Sequence, residues 1–256
     1  MYPINLEGKK GIIFGVANQR SIAWAIAQTL HQAGAELAFT YQGPRLKEGV
    51  ARLVQPWGDA PLMECDVTQD GHISRVFEEL RERFGSLSFV VHSVAFADRE
   101  EMAGNFYDTS RQGFHTAMEV SAYSLIPIAK HASDLMASGG SIITLTFTMQ
   151  LVYPGYNIMG TAKAALEQEV RHLAAELGPR GVRVNALSSG PLDTLAARGL
   201  HRFVDLKHIH AERAPLKRNI THEEVAAAAL FLLSDMASGI TGAILPVDGG
   251  YHIMGV

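Results

Sequence analysis

Residues 11–22, Gly11-Ile12-Ile13-Phe14-Gly15-Val16-Ala17-Asn18-Gln19-Arg20-Ser21-Ile22, decide how the rest of the chain is read. A short apolar run stops at Gly15 and a polar loop follows. Ser21 then stands where a helix N-cap belongs, and Ile22, Ala25, Ile26 and Leu30 recur on one helical face. Gly34 closes that helix, and residues 36–41 supply a second apolar run ending at Gln42. Strand, turn, helix and strand in this order form the unit from which parallel sheets are built.

The alternation persists outward from that unit. Further strands are expected at 62–65, 89–91, 141–145, 182–187 and 244–247, and helices over about 70–83, 110–136, 156–178 and 221–233. Thr221 and Glu224 have the spacing of a capping box. The pattern predicts an α/β fold: a doubly wound (Rossmann) parallel sheet of about seven strands with helices on both faces, in a single domain over 1–256. A hydrophobic content of 47% is enough for one large core, and no linker-like segment divides the chain.

A net charge of −4 gives no general attraction to nucleic acid or to an anionic membrane, so neither is expected as a partner. Cys65 is the only cysteine, which excludes an internal disulfide and a Cys-based metal cluster. The first ten residues lack a signal-peptide apolar run, and no stretch approaches the roughly 20 apolar residues of a membrane span. A soluble cytoplasmic protein with a small-molecule partner is the expectation.

Residues 153–163 read Y-P-G-Y-N-I-M-G-T-A-K. Tyr156 and Lys163 are seven positions apart, two helical turns, so a phenol and an ammonium share one face. A nearby cation favours charge on the phenol oxygen and strengthens the phenol as a donor, as an oxyanion stabiliser requires. A packed Tyr beside a snorkelling Lys satisfies the same spacing.

In a doubly wound sheet, ligands bind beyond the carboxyl ends of the strands. After the first strand, Gly15 permits a tight turn, and the NH groups at the head of the Ser21–Ile22 helix can hold a pyrophosphate with help from the Ser21 hydroxyl. An ordinary strand-to-helix turn would use the same residues. Gln42 ends the second strand, where an acceptor for ribose hydroxyls belongs. Asp66-Val67 follows the third strand, in reach of an adenine amine, and Ser93-Val94-Ala95 follows the fourth. No Arg directly follows Gln42, although Arg45 and Lys47 are close, and this favours NADH over NADPH.

With these residues in place, the whole chain resembles the NADH-dependent enoyl-[acyl-carrier-protein] reductases of bacterial fatty-acid synthesis, within the short-chain dehydrogenase/reductase superfamily. The resemblance is carried by G-V-A-N-Q-R-S-I at 15–22, A-F-T-Y-Q at 38–42, C-D-V at 65–67, V-H-S-V-A-F-A at 91–97 and S-A-Y-S at 121–124. It continues through Y-N-I-M-G-T-A-K at 156–163, G-V-R-V-N-A at 181–186, G-P-L-D-T-L-A-A at 190–197, and the C-terminal I-T-G and V-D-G-G-Y-H-I-M-G. It implies that Gly15, Ser21, Ile22, Gln42, Asp66, Val67, Val94, Lys163 and the segment Leu192, Asp193, Thr194, Leu195 and Ala196 contact NAD. It further implies that Ala97 and Phe147 line the acyl site and that Tyr156 and Lys163 are the catalytic pair. A segment at about 192–218 would cover the substrate, an enoyl thioester on acyl carrier protein or coenzyme A. A homotetramer and no metal complete what the resemblance implies.

The chain departs from that family at the site. Phe147 stands near an expected second Tyr, in a loop one residue shorter, with Tyr153 and Thr146 as alternative hydroxyls. Asp193 replaces a basic residue, so it is expected to turn outward or pair with a cation such as Arg198. Alcohol-oxidising relatives carry a Ser thirteen residues before the Tyr, where this chain has Ile143. Arg198, Arg202, Lys207, Arg213, Lys217 and Arg218 form a local basic excess, read as a solvated helix face or as a docking surface for an acidic carrier. His201, His208 and His210 lack the Cys or carboxylate scaffold of a zinc site. The competing readings are a carbonyl reductase or alcohol dehydrogenase, and a catalytically silent dinucleotide-binding protein.

Overall fold

Strand β1 (Lys10–Phe14) has one half-buried residue followed by four buried ones, the pattern of a strand covered on both faces. In the computed structural model, which describes residues 4–147, 151–153, 155–195, 197 and 203–255, β1 lies inside a seven-stranded, wholly parallel sheet. Its companions are β2 (Glu36–Tyr41), β3 (Leu62–Glu64), β4 (Phe89–His92), β5 (Gly140–Thr146), β6 (Val182–Ser189) and β7 (Ile244–Val247). The order β3-β2-β1-β4-β5-β6-β7 reverses between β1 and β4, so the ligand crevice of a doubly wound sheet opens at the carboxyl ends of those two strands.

Successive strand residues point to opposite faces and build two separate cores. Ile13, Phe39, Val91, Ile143 and Leu187 pack with Ile26 and Leu30 of α1 (Ile22–Gln32) and with Val225 and Ala229 of α9 (His222–Leu233). Their neighbours Ile12, Val90, Ile142 and Val184 face α3 (Asp70–Phe84), α6 (Leu125–Ser133) and α7 (Asn157–Leu177) through Val76, Leu80, Ile128, Leu166 and Val170. Each Val, Leu, Ile or Phe side chain among these contributes about 1.5–3 kcal/mol of burial.

The expected strands form to within two residues at either end, and Thr221 and Glu224 make the capping box. The helix expected over 110–136 is instead interrupted. α5 (Arg111–Met118), capped by the Ser110 hydroxyl on the Gly113 N–H at 2.9 Å, passes into a π-helical turn at Glu119–Tyr123 before α6 begins. Two further helices, α2 (Pro44–Val54) and α4 (Arg99–Met102), carry no sequence expectation, and α8 (Phe203–Arg213) is anticipated only as a solvated helix face within 198–218. α4 and α8 bury two residues or fewer and carry no apolar stripe, whereas α2 does carry one, Leu46, Val50, Leu53 and Val54 packed on the α1–α9 core, which sequence reasoning missed.

Candidate functional site

Because every strand is parallel, the loops after β1 to β6 meet at one edge of the sheet. Gly15 turns the chain there with φ +95°, and a Cβ on it would overlap the Ser93 carbonyl oxygen at the end of β4. Ser21 occupies the N-cap position of α1 but does not cap it. Its oxygen instead accepts from the Ala17 and Asn18 N–H groups at 3.1 and 3.0 Å, so it folds the loop and leaves the helix head uncapped by its side chain. This corrects the capping expectation while keeping helix NH groups directed at the crevice. Ile22 is partly buried against the α1–α9 core.

Gln42 is exposed at the end of β2, and Lys47 of α2 lies 5.8 Å from the Tyr41 ring centroid, a cation–π contact. Asp66 accepts from the Thr68 N–H at 3.0 Å and from its hydroxyl at 2.8 Å through one carboxylate oxygen. Val67 is buried and Val94 partly buried in the α3–α6–α7 core. Leu192 is buried in the opposite core, so only its main chain is available to a ligand. Asp193 pairs with a cation, Lys207 of α8 at 2.7 Å; Arg198, expected as one such cation, lies with Ala196, His201 and Arg202 outside the described residues. Thr194 accepts from the Ala197 N–H at 3.1 Å, and Leu195 is exposed.

The basic excess expected as a docking surface is partly spent within the chain. Besides Lys207, Lys217 donates to the Glu212 carbonyl at 2.8 Å, and Arg218 grips Glu224 through bonds of 2.9 and 2.6 Å. His210 is buried in a ring stack with Tyr251 at 4.6 Å. Among the described residues no group of three His, Cys, Asp or Glu side chains could hold a metal ion.

Tyr156 is the N-cap residue of α7, one position earlier than a helical Tyr–Lys face requires. Asn157 follows it with φ +29°, a conformation disfavoured for a side chain other than glycine, and its amide donates to the Gly104 carbonyl at 3.2 Å. The Tyr156 ring packs with Ala97 and Met118 on an apolar cluster of Met102, Ala117, Ile158, Met159 and Ala162, with Phe147 5.3 Å away. Burial pushes the phenol pKa up. Desolvation outweighs any pull of the Lys163 charge on the phenol oxygen, and the phenol is held protonated, the state in which it can donate.

Lys163 is 5% exposed and donates to the Leu145 carbonyl at 2.8 Å. Burial lowers its pKa to about 8, opposed by the Glu167 carboxylate one turn on. Thr146 donates to Glu167 at 2.9 Å, which turns its hydroxyl into the protein and removes it as an alternative to a tyrosine at 147. Tyr153 sits edge-on to Phe147 at 4.5 Å, its pKa raised to about 12 by burial and by the nearby Tyr251 and Asp248. Counting thirteen residues back from Tyr156 does not find the site. Ile143 is fully buried in mid-strand and faces the α1–α9 core, whereas the residue that leaves β5 beside Tyr156 is Phe147.

Sequence reasoning missed a residue at this edge, His92. The last residue of β4 is fully buried, with Nδ1 2.8 Å from the Thr144 hydroxyl and Nε2 2.9 Å from the Ser124 hydroxyl. Ser124 gives its proton to the Val120 carbonyl at 2.7 Å, so Nε2 donates to Ser124 and Nδ1 accepts from Thr144. Burial, followed by the Lys163 charge, lowers its pKa from 6.5 to about 3. The unfolded chain therefore takes up a proton below pH 6.5 that the folded chain refuses until about pH 3. Stability is full above pH 6.5 and is lost as pH falls through that window, by about 1.4 kcal/mol per pH unit. Urea unfolding at pH 7 and pH 5 should show a loss of about 2 kcal/mol that His92→Gln removes; equal slopes in the two proteins would refute the assignment.

A switch-point crevice, a Gly15 turn into a helix head, and a protonated phenol and a buried ammonium at the end of β5 define a dinucleotide-dependent oxidoreductase of the doubly wound class. Comparison with known proteins narrows it. The family model described as Enoyl-(Acyl carrier protein) reductase matches residues 15–252, and the chain belongs to that family. It is 50% identical over 252 residues to Enoyl-[acyl-carrier-protein] reductase [NADH] 1 of Rhizobium meliloti, covering 98% of this chain and 93% of that one. With the Enoyl-[acyl-carrier-protein] reductase [NADH] of Bacillus cereus it shares 47% over 253 residues, covering 98% and 99%. The crystal structure of the Bacillus cereus enoyl-acyl carrier protein reductase with NADP+ and indole naphthyridinone superposes with a TM-score of 0.96 at 47% identity, over 98% and 99% of the two chains. An Anaplasma phagocytophilum enoyl-(acyl-carrier-protein) reductase in complex with NAD gives 0.95 at 45% identity, over 98% and 96%.

Proposed function

We propose that the chain reduces the C=C bond of a trans-2-enoyl thioester with NADH, the elongation-type reduction of fatty-acid synthesis. The observation that carries this reading is the protonated, half-buried Tyr156 at the head of α7, with Lys163 two turns behind it, in a chain of the enoyl reductase family. The turn at Gly15, where a Cβ would overlap Ser93, and the uncapped head of α1 suit a pyrophosphate. Gln42 suits the adenosine ribose, and Lys163 has one of its three donors committed to Leu145 and can serve the nicotinamide ribose with the others. When bound, the nicotinamide supplies a hydride to the β-carbon of the substrate.

Charge then develops on the thioester oxygen, and the chain's own groups meet it. Tyr156 keeps its proton by burial and donates a hydrogen bond to that oxygen. Its place at the N-terminus of a 21-residue helix adds the positive end of the helix dipole. Ala97 and Phe147, packed against the Tyr156 ring, form apolar walls that exclude water from the acyl chain. Ile143 stands where alcohol-oxidising relatives carry a Ser, and the ring beside Tyr156 at the end of β5 is the apolar Phe147, so neither offers a second hydroxyl to a carbonyl substrate.

In this reading the segment 192–218, including α8, covers the substrate. The thioester is carried by acyl carrier protein or coenzyme A, and the protein works as a cytoplasmic homotetramer. No helix among the described residues is long and apolar enough to cross a membrane. The test follows NADH oxidation with a short trans-2-enoyl thioester, on coenzyme A and on acyl carrier protein, beside a panel of ketones and a parallel NADPH series. Turnover of the thioester with NADH is the expected result. Turnover of ketones alone would replace the reading with a carbonyl reductase, and NADH binding without any turnover would replace it with a silent binding protein.

A further inference from the structure

The S-A-Y-S stretch at 121–124 has no part in the chemistry above, yet both of its serines are fully buried. They lie on and just after the π-helical turn, whose wide bond runs from the Ser124 N–H to the Glu119 carbonyl at 3.1 Å. A π turn between two α-helices adds a residue and re-aims the side chains that follow, and such turns collect at functional sites. Here Ser124 meets His92 at the end of β4, and Ser121 meets Phe96 four residues further along the chain. The Phe96 N–H donates to the Ser121 oxygen at 2.9 Å, and the Ser121 hydroxyl donates back to the Phe96 carbonyl at 3.0 Å. One side chain thus satisfies both main-chain groups of one residue, as a neighbouring strand would.

The loop needs this support. Phe96 is 49% exposed, so its own packing gives the backbone little anchorage. On one side of the pinned Phe96 is Val94, partly buried in the α3–α6–α7 core. On the other is Ala97, which shares the apolar cluster with Tyr156. A shift of the Phe96 main chain would therefore move Ala97 against the phenol, and the distances of close groups at a reacting centre govern rate steeply.

We propose that Ser121 is a positioning residue for the acyl substrate: by holding both main-chain groups of Phe96, it sets where Ala97 stands relative to Tyr156. The proposal rests on the reading that Ala97 lines the acyl site. It predicts that Ser121→Ala, which deletes two hydrogen bonds and adds no bulk, raises KM for the enoyl thioester about tenfold. KM for NADH should stay within about twofold, because the loop after β1 is untouched, and Ser121→Cys, with its weak donor, should fall between. In hydrogen exchange the Phe96 amide should be protected in the parent and exchange at least about tenfold faster in Ser121→Ala. An unchanged KM, an equal rise in both KM values, or a Phe96 amide that exchanges alike in the two proteins overturns the proposal. A parent that reduces no enoyl thioester overturns the function instead, and the Phe96 exchange then decides the clamp without turnover.

Discussion

Tyr156→Phe should lower the rate of enoyl thioester reduction by about 10²–10³-fold while NADH binding stays within about twofold. The change removes one oxygen and keeps the ring that packs against Phe147 and the Ala97–Met159 cluster, so the fold loses little. What disappears is the donor aimed at charge that exists only in the transition state. The effect should therefore fall on kcat and kcat/KM equally and leave substrate binding nearly intact. Burial holds the phenol above its usual pKa, so the parent's rate should show no alkaline loss from this group near pH 10. Lys163, lowered to about 8, predicts the opposite for cofactor binding in the free protein. NADH affinity should weaken as pH rises through 8, when the ammonium loses its charge. A Tyr156→Phe protein with parental turnover would remove Tyr156 from the chemistry altogether.

The sequence made the sheet legible because neighbouring residues in each strand are apolar in both directions, as Ile12 with Ile13 and Val90 with Val91. Once parallel strands are granted, Gly15, Gln42, Asp66 and Val94 must come to one edge, and they do. Side-chain roles at that edge were less legible. Ser21 reads as a cap from its place before Ile22, but a hydroxyl can equally serve the loop behind it, and here it does. Asp193 needs a cation, and only the fold decides that Lys207, fourteen residues on, supplies it. Spacing along the chain told that a Ser is missing and not what stands beside Tyr156 instead. Thirteen residues before Tyr156 is Ile143 in the core, because the intervening loop is not a helix with a fixed rise.

The contacts that His92, Ser121, Ser124 and Thr144 make were invisible for a related reason. His92 and Thr144 lie 52 residues apart, and Ser121 and Phe96 lie 25 apart. Neither separation has a period. They meet because β4 pairs with β5, placing His92 opposite Thr144, and because the π turn aims the serines at the end of β4. Such polar networks belong to topology, and topology is available only after the strands have been ordered.

Gly15→Ala should destabilise the protein by about 3 kcal/mol or more and weaken NADH binding at least about tenfold. Two costs add. At φ +95° any side chain meets the unfavourable left-handed region, worth about 1–2 kcal/mol. The second cost is the Ser93 carbonyl, which the new methyl would overlap. That carbonyl has little freedom to retreat. The Ser93 N–H is bonded to the Phe14 carbonyl at 3.2 Å, His92 before it is held on both ring nitrogens, and Phe96 beyond it is held by Ser121. The methyl must therefore push the β1 loop outward, away from the head of α1, where a pyrophosphate would sit. Gly58→Ala separates the two costs. Gly58 has φ +86°, but a Cβ there meets nothing within 4 Å, so only the conformational penalty applies. Thermal unfolding should place Gly58→Ala a few degrees below the parent and Gly15→Ala well below both, with NADH titration impaired in Gly15→Ala alone. If Gly15→Ala matched Gly58→Ala in both measurements, the close approach of β1 and β4 would not be what fixes the nucleotide loop.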